Sequence, residues 1–280
     1  MIDNVAFQTL RHGGITIEGY SCAMVQSVWR IPEWDVGFDL GALPWTFLPT
    51  PTWFVTHAHI DHFAGLPILT SRRAIMDYPV PTTIYLPEDV VDDAYAMLKL
   101  WERLDKGPQS CNLKGLAPGD EVVLSPHQVV TAFATRHPVP SLGYAVWERR
   151  HKLKAEYQGM TGEQIRVLRS SGVAVTEEQR VPLLCYTGDT SPPGLDENPV
   201  TFAAKILITE MSFVRVNHPR EKIHAFGHMH IDDFIERADR FENELIIAAH
   251  VSSRYEIEES KRAVAENVPA PLRDRIFVWG

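Results

Sequence analysis

A chain of 280 residues with 45% hydrophobic residues is long enough to bury a large core, as one α/β domain or as two small ones. Its formal net charge of −9 argues against a protein that coats nucleic acid, but not against a nucleic-acid enzyme with a local basic patch. No segment approaches 18 consecutive apolar residues, and the N-terminus lacks a basic start followed by an apolar stretch. The three cysteines are widely spaced, which is typical of reduced thiols. We therefore expect a cytoplasmic protein with no membrane association.

Short strands and helices are predicted to alternate along the chain. Strand-like runs with turn signals reach residue 56, and a helix is expected from Asp61 to Arg73. A second helix is expected from Pro87 to Leu104, because its apolar residues recur with helical spacing. Further strands are expected at 83–86, 129–135, 143–147, 183–186, 205–209 and 245–249, and further helices at 231–241 and 256–265. This mixture favours a layered α/β fold, in which functional residues lie on loops at strand ends.

The strongest functional signal follows the strand-like run at 52–56 and reads His57-Ala58-His59-Ile60-Asp61-His62. Three imidazoles and a carboxylate in one turn would repel or desolvate one another without a metal ion. His57 and His59 can share one ion, whereas Asp61 and His62 suit a second. Such nitrogen and oxygen donors fit Zn²⁺, with Mn²⁺ or Fe²⁺ as alternatives. The competing interpretation is a cluster of surface histidines.

Three more residues of ligand type each follow a predicted strand, namely His137, Asp189 and His250. Any one of them alone would more often be an ordinary loop residue, but all three could converge on one rim of a sheet. Two ions about 3.5–4 Å apart activate a hydroxide and stabilise the oxygens of a carbonyl or phosphoryl transition state. The set therefore predicts a hydrolase, without naming the bond that it cleaves.

The order of these residues resembles the metallo-β-lactamase superfamily, whose fold is a four-layer αββα sandwich with a dinuclear site between its sheets. The resemblance implies a single domain over residues 1–280, with a short insertion at about 148–180 that is predicted to be mostly helical. It implies two Zn²⁺ per chain, one held by His57, His59 and His137, the other by Asp61, His62 and His250, with Asp189 bridging them. Asp39 resembles an early strand-end aspartate of the superfamily and is expected to support the ligands or the structure.

Within the superfamily the chain is most similar to ribonuclease Z, in the short form of plants and some bacteria. The similarity runs from about residue 12 to the C-terminus and includes Glu210, Gly227-His228 and the stretch from His250 to Tyr255. It implies an endoribonuclease that removes 3′ trailers from precursor tRNA with a zinc-bound hydroxide as nucleophile. His228, polarised by Glu210, would protonate the leaving ribose 3′-oxygen. The implied catalytic residues are Asp61, Glu210 and His228.

The densest basic run of the chain, residues 148–154, lies where longer ribonuclease Z proteins carry an arm that grips tRNA. Four residues are candidates for contact with RNA phosphates, although a solvated helix face is an equal alternative: Arg149, Arg150, Lys152 and Lys154. The family resemblance also implies a homodimer.

Other functions remain open at the level of the sequence. The same metal site would serve a phosphodiesterase acting on small or cyclic nucleotides, or a hydrolase of esters, thioesters or lactones. A domain that only binds metal or a partner is a weaker interpretation, because every ligand position is filled.

Overall fold

The computed structural model describes residues 7–215 and 218–280, which contain two seven-stranded sheets. The strands follow the order β1 to β7 across the first sheet and β14 down to β8 across the second. The first sheet consists of β1 (Gln8–His12), β2 (Ile15–Cys22), β3 (Gln26–Ile31), β4 (Val36–Phe38), β5 (Thr52–Phe54), β6 (Thr82–Pro87) and β7 (Cys111–Leu116). The second consists of β8 (Glu121–Ser125), β9 (Gln128–Ala134), β10 (Leu142–Leu153), β11 (Thr176–Tyr186), β12 (Ile206–Glu210), β13 (Leu245–Ala249) and β14 (Ile276–Val278).

Helices cover the outer faces of both sheets, so the predicted αββα sandwich is confirmed. The α-helices of the described residues are α1 (Ile60–Phe63), α2 (Leu66–Ile75), α3 (Val91–Asp105), α4 (Gly162–Ser170), α5 (Pro192–Asp196), α6 (Val200–Ala203), α7 (Arg220–Ala225), α8 (Ile231–Glu236), α9 (Ile257–Asn267) and α10 (Ala270–Arg273), of which α4 lies apart from the sheet faces. Among the described residues, no helix has both the length and the apolar character needed to cross a bilayer. A single domain over the whole chain stays a prediction.

The two sheets share one layout, in which an antiparallel half is joined to a parallel half. Strands β1 to β4 pair antiparallel and β4 to β7 pair parallel, and strands β8 to β11 and β11 to β14 repeat this arrangement. Because parallel strands end at the same edge of a sheet, the loops after β4, β5, β11, β12 and β13 gather at one rim. Strand β9 runs in the same direction as β11, so the loop after it reaches that rim as well.

Apolar side chains fill three interfaces between the four layers. Strand alternation sends Trp29 of β3 and Ile208 of β12 into the central layer between the sheets. Neighbouring positions face outward: Val28 packs with α2 and α3, and Leu207 packs with α8 and α9. The sheets are thus covered on both faces, which holds the rim loops on a rigid base.

The prediction of a mostly helical insertion at about 148–180 is wrong. Strands β10 and β11 extend beyond the sheet and pair down to Leu153 and Thr176, and only a 3₁₀ turn at Ala155–Tyr157 and α4 at their tip are helical. Backbone pairing holds this two-stranded ribbon, and one cross-strand charge pair adds to it, with Arg149 Nε 2.9 Å from an oxygen of Glu178. A charged segment with little apolar alternation gave no strand signal in the sequence. We call residues 149–180 the arm.

The boundaries of two predicted helices also change. The helix expected from Asp61 to Arg73 is two helices, α1 and α2, interrupted at 64–65, where the backbone N–H of Gly65 donates to the carbonyl of Leu40. The helix expected at 231–241 ends at Glu236 and is followed by a 3₁₀ turn at Ala238–Arg240. The strand at 245–249 lies where it was predicted.

Candidate metal centre and active site

All seven predicted ligands lie together at the rim where the strands end. The loop after β5 and the short α1 supply the residues from His57 to His62, and the other three follow β9, β11 and β13. His57, His62 and Asp189 are almost completely buried, and His250 is 5% exposed. The topology therefore assembles residues that are almost 200 positions apart in the chain.

The first predicted set surrounds a point that could hold a metal ion. One ligand atom from each of His57, His59, His137 and Asp189 lies within 4.8 Å of the other three. Nε2 of His57 is 3.1 Å from Nδ1 of His59, which is 3.2 Å from Nε2 of His137. Burial and the neighbouring imidazoles lower the pKa of His57 well below its usual value, so this ring is neutral and can donate a lone pair.

The second predicted set adjoins the first and shares Asp189 with it. Ligand atoms of Asp61, His62 and His250 also lie within 4.8 Å of one another. The oxygens of Asp189 lie 3.4 Å from Nε2 of His62, 3.3 Å from Nε2 of His250 and 3.8 Å from Nε2 of His57. Asp189 therefore lies between the two sets, in the position predicted for a bridging ligand.

Two buried polar atoms indicate that these residues fit metal ions. Nε2 of His62 and Oδ1 of Asp189 have no hydrogen-bond partner among the described residues. An unsatisfied buried polar atom costs about 1–3 kcal/mol, and more when the group is charged. Both atoms belong to the predicted ligand sets, so coordination would satisfy them. The donor set of imidazole nitrogens and carboxylate oxygens suits a divalent metal such as zinc.

Asp39 holds His62 in place from behind the ligand sets. It lies just after β4 with a left-handed φ of 52°, and its carboxylate accepts hydrogen bonds from Thr56 and from the hydroxyl of Tyr186. Its Oδ2 is 2.6 Å from Nδ1 of His62. This contact fixes the imidazole so that Nε2 faces the cluster, which is the supporting role expected for Asp39.

Replacing Asp39 by asparagine should weaken metal binding about 10- to 100-fold, because an amide has one acceptor oxygen where four donor groups of Thr56, His62 and Tyr186 converge. The measurement is metal affinity by competition with a chelator of known affinity. Asp77→Asn is the matched control, since Asp77 is exposed and has the same φ of 52°. Equal metal affinities for the two variants would contradict the role of Asp39.

Gly227 orients His137 in the same way, a role that the sequence motif did not reveal. Its carbonyl oxygen is 3.1 Å from Nδ1 of His137, which leaves Nε2 to face His59. Gly227 has a φ of 76°, and a Cβ at this position would lie 2.5 Å from Nδ1 of His137. Only glycine therefore permits this close approach.

His228 and Glu210 are in contact, as predicted for an acid and its polarising partner. Nδ1 of His228 is 3.1 Å from Oε1 of Glu210, whose side chain is buried at the end of β12. Burial alone would lower the pKa of His228, but the Glu210 carboxylate and its hydrogen bond outweigh that effect and raise the pKa to about 9. The imidazole is therefore charged at neutral pH and has a proton to give.

Ser212 joins this pair to the metal ligands, and the sequence gave no sign of it. Its hydroxyl donates to Glu210 Oε2 and lies 3.0 Å from Nδ1 of His250. The backbone N–H of Ser252 in turn donates to the carbonyl of Ser212. One hydroxyl thus fixes both Glu210 and His250, and Ser252 serves to order the loop that carries His250.

A cavity of about 210 Å³ opens onto these groups. Five predicted site residues line it: His59, Asp61, Asp189, His228 and His250. Arg254, Met24 and Phe213 add a cationic and two apolar side chains to its wall. The backbone N–H of Met24 also donates to Oδ2 of Asp61 at 2.8 Å. A molecule bound in the cavity would therefore contact residues of both ligand sets and His228.

The four predicted RNA-contact residues lie far from this cavity, on or beside the arm. Arg149 and Arg150 form ion pairs with Glu178 and Glu148, so their charges are partly neutralised. Lys152 and Lys154 form no ion pair with any of the described residues. Of the four, the two lysines keep their charge available for a phosphate.

Comparison with known proteins places the chain in a family. The family model of the beta-lactamase superfamily domain matches residues 52–251. The tRNase Z TRZ1 of Arabidopsis thaliana is 33% identical over 270 residues, which cover 94% of each chain. The chain belongs to the tRNase Z family. The chloroplastic tRNase Z TRZ2 of the same plant is 32% identical and covers 90% of this chain and 70% of its own.

Solved structures agree with the fold. The human short-form tRNase Z (ELAC1) superposes with a TM-score of 0.55 and 20% identity, over 86% of this chain and 87% of that one. At this identity the likeness shows the fold only. The resemblance to ribonuclease Z seen in the sequence is nevertheless confirmed by the tRNase Z relatives.

Proposed function

We propose that this chain is a metal-dependent endoribonuclease that removes 3′ trailers from precursor tRNA. The observation that carries the proposal is the His228–Glu210 pair at 3.1 Å, beside two ligand sets that share Asp189. The relatives named tRNase Z extend over nearly the whole chain and support the same reaction. Cleavage of a phosphodiester needs a group that protonates the leaving 3′-oxygen, and His228 is suited to that role.

We propose two Zn²⁺ per chain, held by the residues predicted from the sequence, with Mn²⁺ or Fe²⁺ as alternatives. One ion would be held by His57, His59 and His137, and the other by Asp61, His62 and His250. Asp189 would bind both ions. Ions held there would supply an activated water and positive charge for the phosphate oxygens. Elemental analysis of the purified protein tests the number and the identity. One equivalent per chain would contradict the dinuclear site.

The chain's own residues then divide the remaining tasks. His228 gives its proton to the leaving oxygen, and Glu210 and Ser212 hold the ring in orientation for that transfer. Asp61 is fixed by Met24 and lies 3.4 Å from His250, so its carboxylate is ready both to bind metal and to orient the attacking water.

The direct test compares three substrates: a 3′-extended precursor tRNA, bis(p-nitrophenyl) phosphate and a thioester. We expect a specific cut in the precursor, leaving a 3′-hydroxyl on the tRNA. Activity on the small diester without a cut in the RNA would contradict the proposal and favour a phosphodiesterase acting on small nucleotides. Activity on the thioester alone would contradict the proposal and indicate a thioesterase of the same superfamily.

We also propose that the arm contributes to RNA binding. Lys152 and Lys154 are accompanied by Arg166 and Arg169 of α4, a helix that buries none of its own residues against the protein. Cationic side chains at the tip of a projecting ribbon can neutralise phosphates at a distance from the cleavage site. The arm contains the densest run of cationic side chains in this acidic chain.

Replacing both Lys152 and Lys154 by alanine should weaken RNA binding several-fold and lower the salt dependence of log Kd by about one unit per lysine. The rate of hydrolysis of bis(p-nitrophenyl) phosphate should be unchanged, since this small substrate, when bound at the active site, is too short to contact the arm. Arg150→Ala should have a smaller effect, because Glu148 already neutralises Arg150. Unchanged affinity and salt dependence in the lysine variant would show that the arm does not bind RNA.

We further propose that the protein is a homodimer. Apolar side chains of α2 and α3 are exposed beside one another, with Ile68 50%, Trp101 45% and Leu104 73% accessible. Association would remove this surface from water. Sedimentation equilibrium would contradict the proposal if it gave the mass of one chain, 31.7 kDa. A cytoplasmic location stays a prediction.

A further inference from the structure

A row of three aromatic rings leads from the active-site cavity toward the surface. The ring centre of Phe213 is 6.3 Å from that of His228, and on its other side it is 5.2 Å from that of His218. Phe213 lines the cavity and is only partly buried. Part of the Phe213 side chain packs against the apolar core, and the rest lines the cavity, where an aromatic ring can contact a bound molecule.

The backbone holds Phe213 in a fixed position relative to His228. The N–H of Phe213 donates to the carbonyl of Met229 at 3.2 Å, and the N–H of Ile231 donates to the carbonyl of Phe213 at 2.8 Å. These two bonds tie the segment after β12 to the segment that carries His228. Phe213 and His228 therefore lie on backbone segments that are held in a fixed relation to each other.

His218 supports the far side of the Phe213 ring. Its plane is inclined at 69° to that ring, and its Nδ1 lies 3.0 Å from the hydroxyl of Tyr255. Tyr255 is itself covered by the guanidinium of Arg215, 4.7 Å from its ring centre. The ring of Phe213 thus packs against His218 and also lines the cavity.

We infer that Phe213 is a stacking platform for the base of the nucleotide that carries the leaving 3′-oxygen. The inference rests on the proposed function, in which His228 must come within hydrogen-bond distance of that oxygen. The base of the same nucleotide is attached to the same ribose, one sugar ring away from the oxygen. Phe213 is the aromatic side chain next to His228 on the cavity wall, so it lies within reach of that base.

Stacking on an aromatic ring suits this position because it accepts every base. All four bases have an aromatic face, and single-stranded RNA is recognised in this way by proteins that must tolerate sequence variation. A platform at this point would align the ribose with His228 and would hold the last nucleotide of the product apart from the helical stem. Phe213 would then position the substrate without taking part in proton transfer.

The test combines a variant of the protein with a variant of the substrate. Phe213→Leu removes the aromatic face and keeps an apolar side chain, and an abasic nucleotide 5′ to the scissile phosphate removes its partner. On the normal precursor tRNA we expect Phe213→Leu to lower kcat/KM about 5- to 100-fold. On the abasic precursor the two proteins should be nearly equal, because both changes remove the same interaction. Phe213→Tyr should retain the wild-type rate.

Phe226→Leu is the matched control, since Phe226 is 59% exposed and does not line the cavity. The thermal midpoint of each variant and its metal content identify any loss of folding. An equal decrease on normal and abasic substrates, or none on either, would overturn the platform. If wild-type protein fails to cut the precursor but hydrolyses bis(p-nitrophenyl) phosphate, the proposed function fails and the inference fails with it.

Discussion

Asp189→Ala is expected to lose metal from both ligand sets and to lower RNA cleavage by at least about 10³-fold, since bound ions supply several kcal/mol of transition-state stabilisation. The Asp189 carboxylate lies within 3.8 Å of nitrogens from His57, His62 and His250. Without it, the first set consists of three neutral imidazoles and has no negative charge to offset a dication. Two sets that share one ligand should therefore fail together.

The measurement is metal content per chain together with the cleavage rate, at equal protein concentration. Asp233→Ala is the control, because Asp233 is also buried but binds Arg220 and His224 away from the cluster. That variant should lose stability and keep its metal. Two equivalents of metal in Asp189→Ala would show that the residue does not hold the two sets together.

Most of the site could be predicted because residue types that bind metal ions follow one another in a characteristic order along the chain. The segment from His57 to His62 contains four ligand groups within six positions, a density that is unusual for a cluster of surface histidines. His137, Asp189 and His250 each follow an apolar strand, and parallel strands bring such positions to one rim. The contact between Glu210 and His228 could be expected from the family resemblance, not from spacing.

The other site residues could not be predicted, because their roles depend on contacts between residues that are far apart in the chain. Ser212 matters because its hydroxyl reaches His250, 38 positions later in the chain, and a lone serine has no pattern of its own. Gly227 matters because its carbonyl meets His137, 90 positions earlier. The arm was misjudged for a related reason: its strands are held by backbone pairing and by the ion pair of Arg149 with Glu178, whereas sequence patterns detect apolar periodicity.

His228→Ala should keep both metal ions and yet lower cleavage of precursor tRNA about 10²- to 10⁴-fold, the usual contribution of a positioned general acid. Retention of both metal ions distinguishes a general acid from a metal ligand at this position. One ring nitrogen of His228 lies within 4.8 Å of ligand atoms of Asp189 and His250, so the residue could also be a ligand. However, Nδ1 is the nitrogen nearest Asp189, at 4.0 Å, and it already faces Glu210 at 3.1 Å.

A change of leaving group separates the two roles. A ribose 3′-oxygen needs a proton as it departs, whereas p-nitrophenolate is stable without one. Loss of a general acid should therefore spare hydrolysis of bis(p-nitrophenyl) phosphate, while loss of a metal ligand should reduce both reactions alike. His224→Ala is the matched control, because His224 makes a similar pair with Asp233 at 2.9 Å outside the cavity. If His228→Ala lost one metal equivalent and cleaved both substrates more slowly by the same factor, His228 would be a metal ligand. The departing 3′-oxygen would then have no assigned general acid.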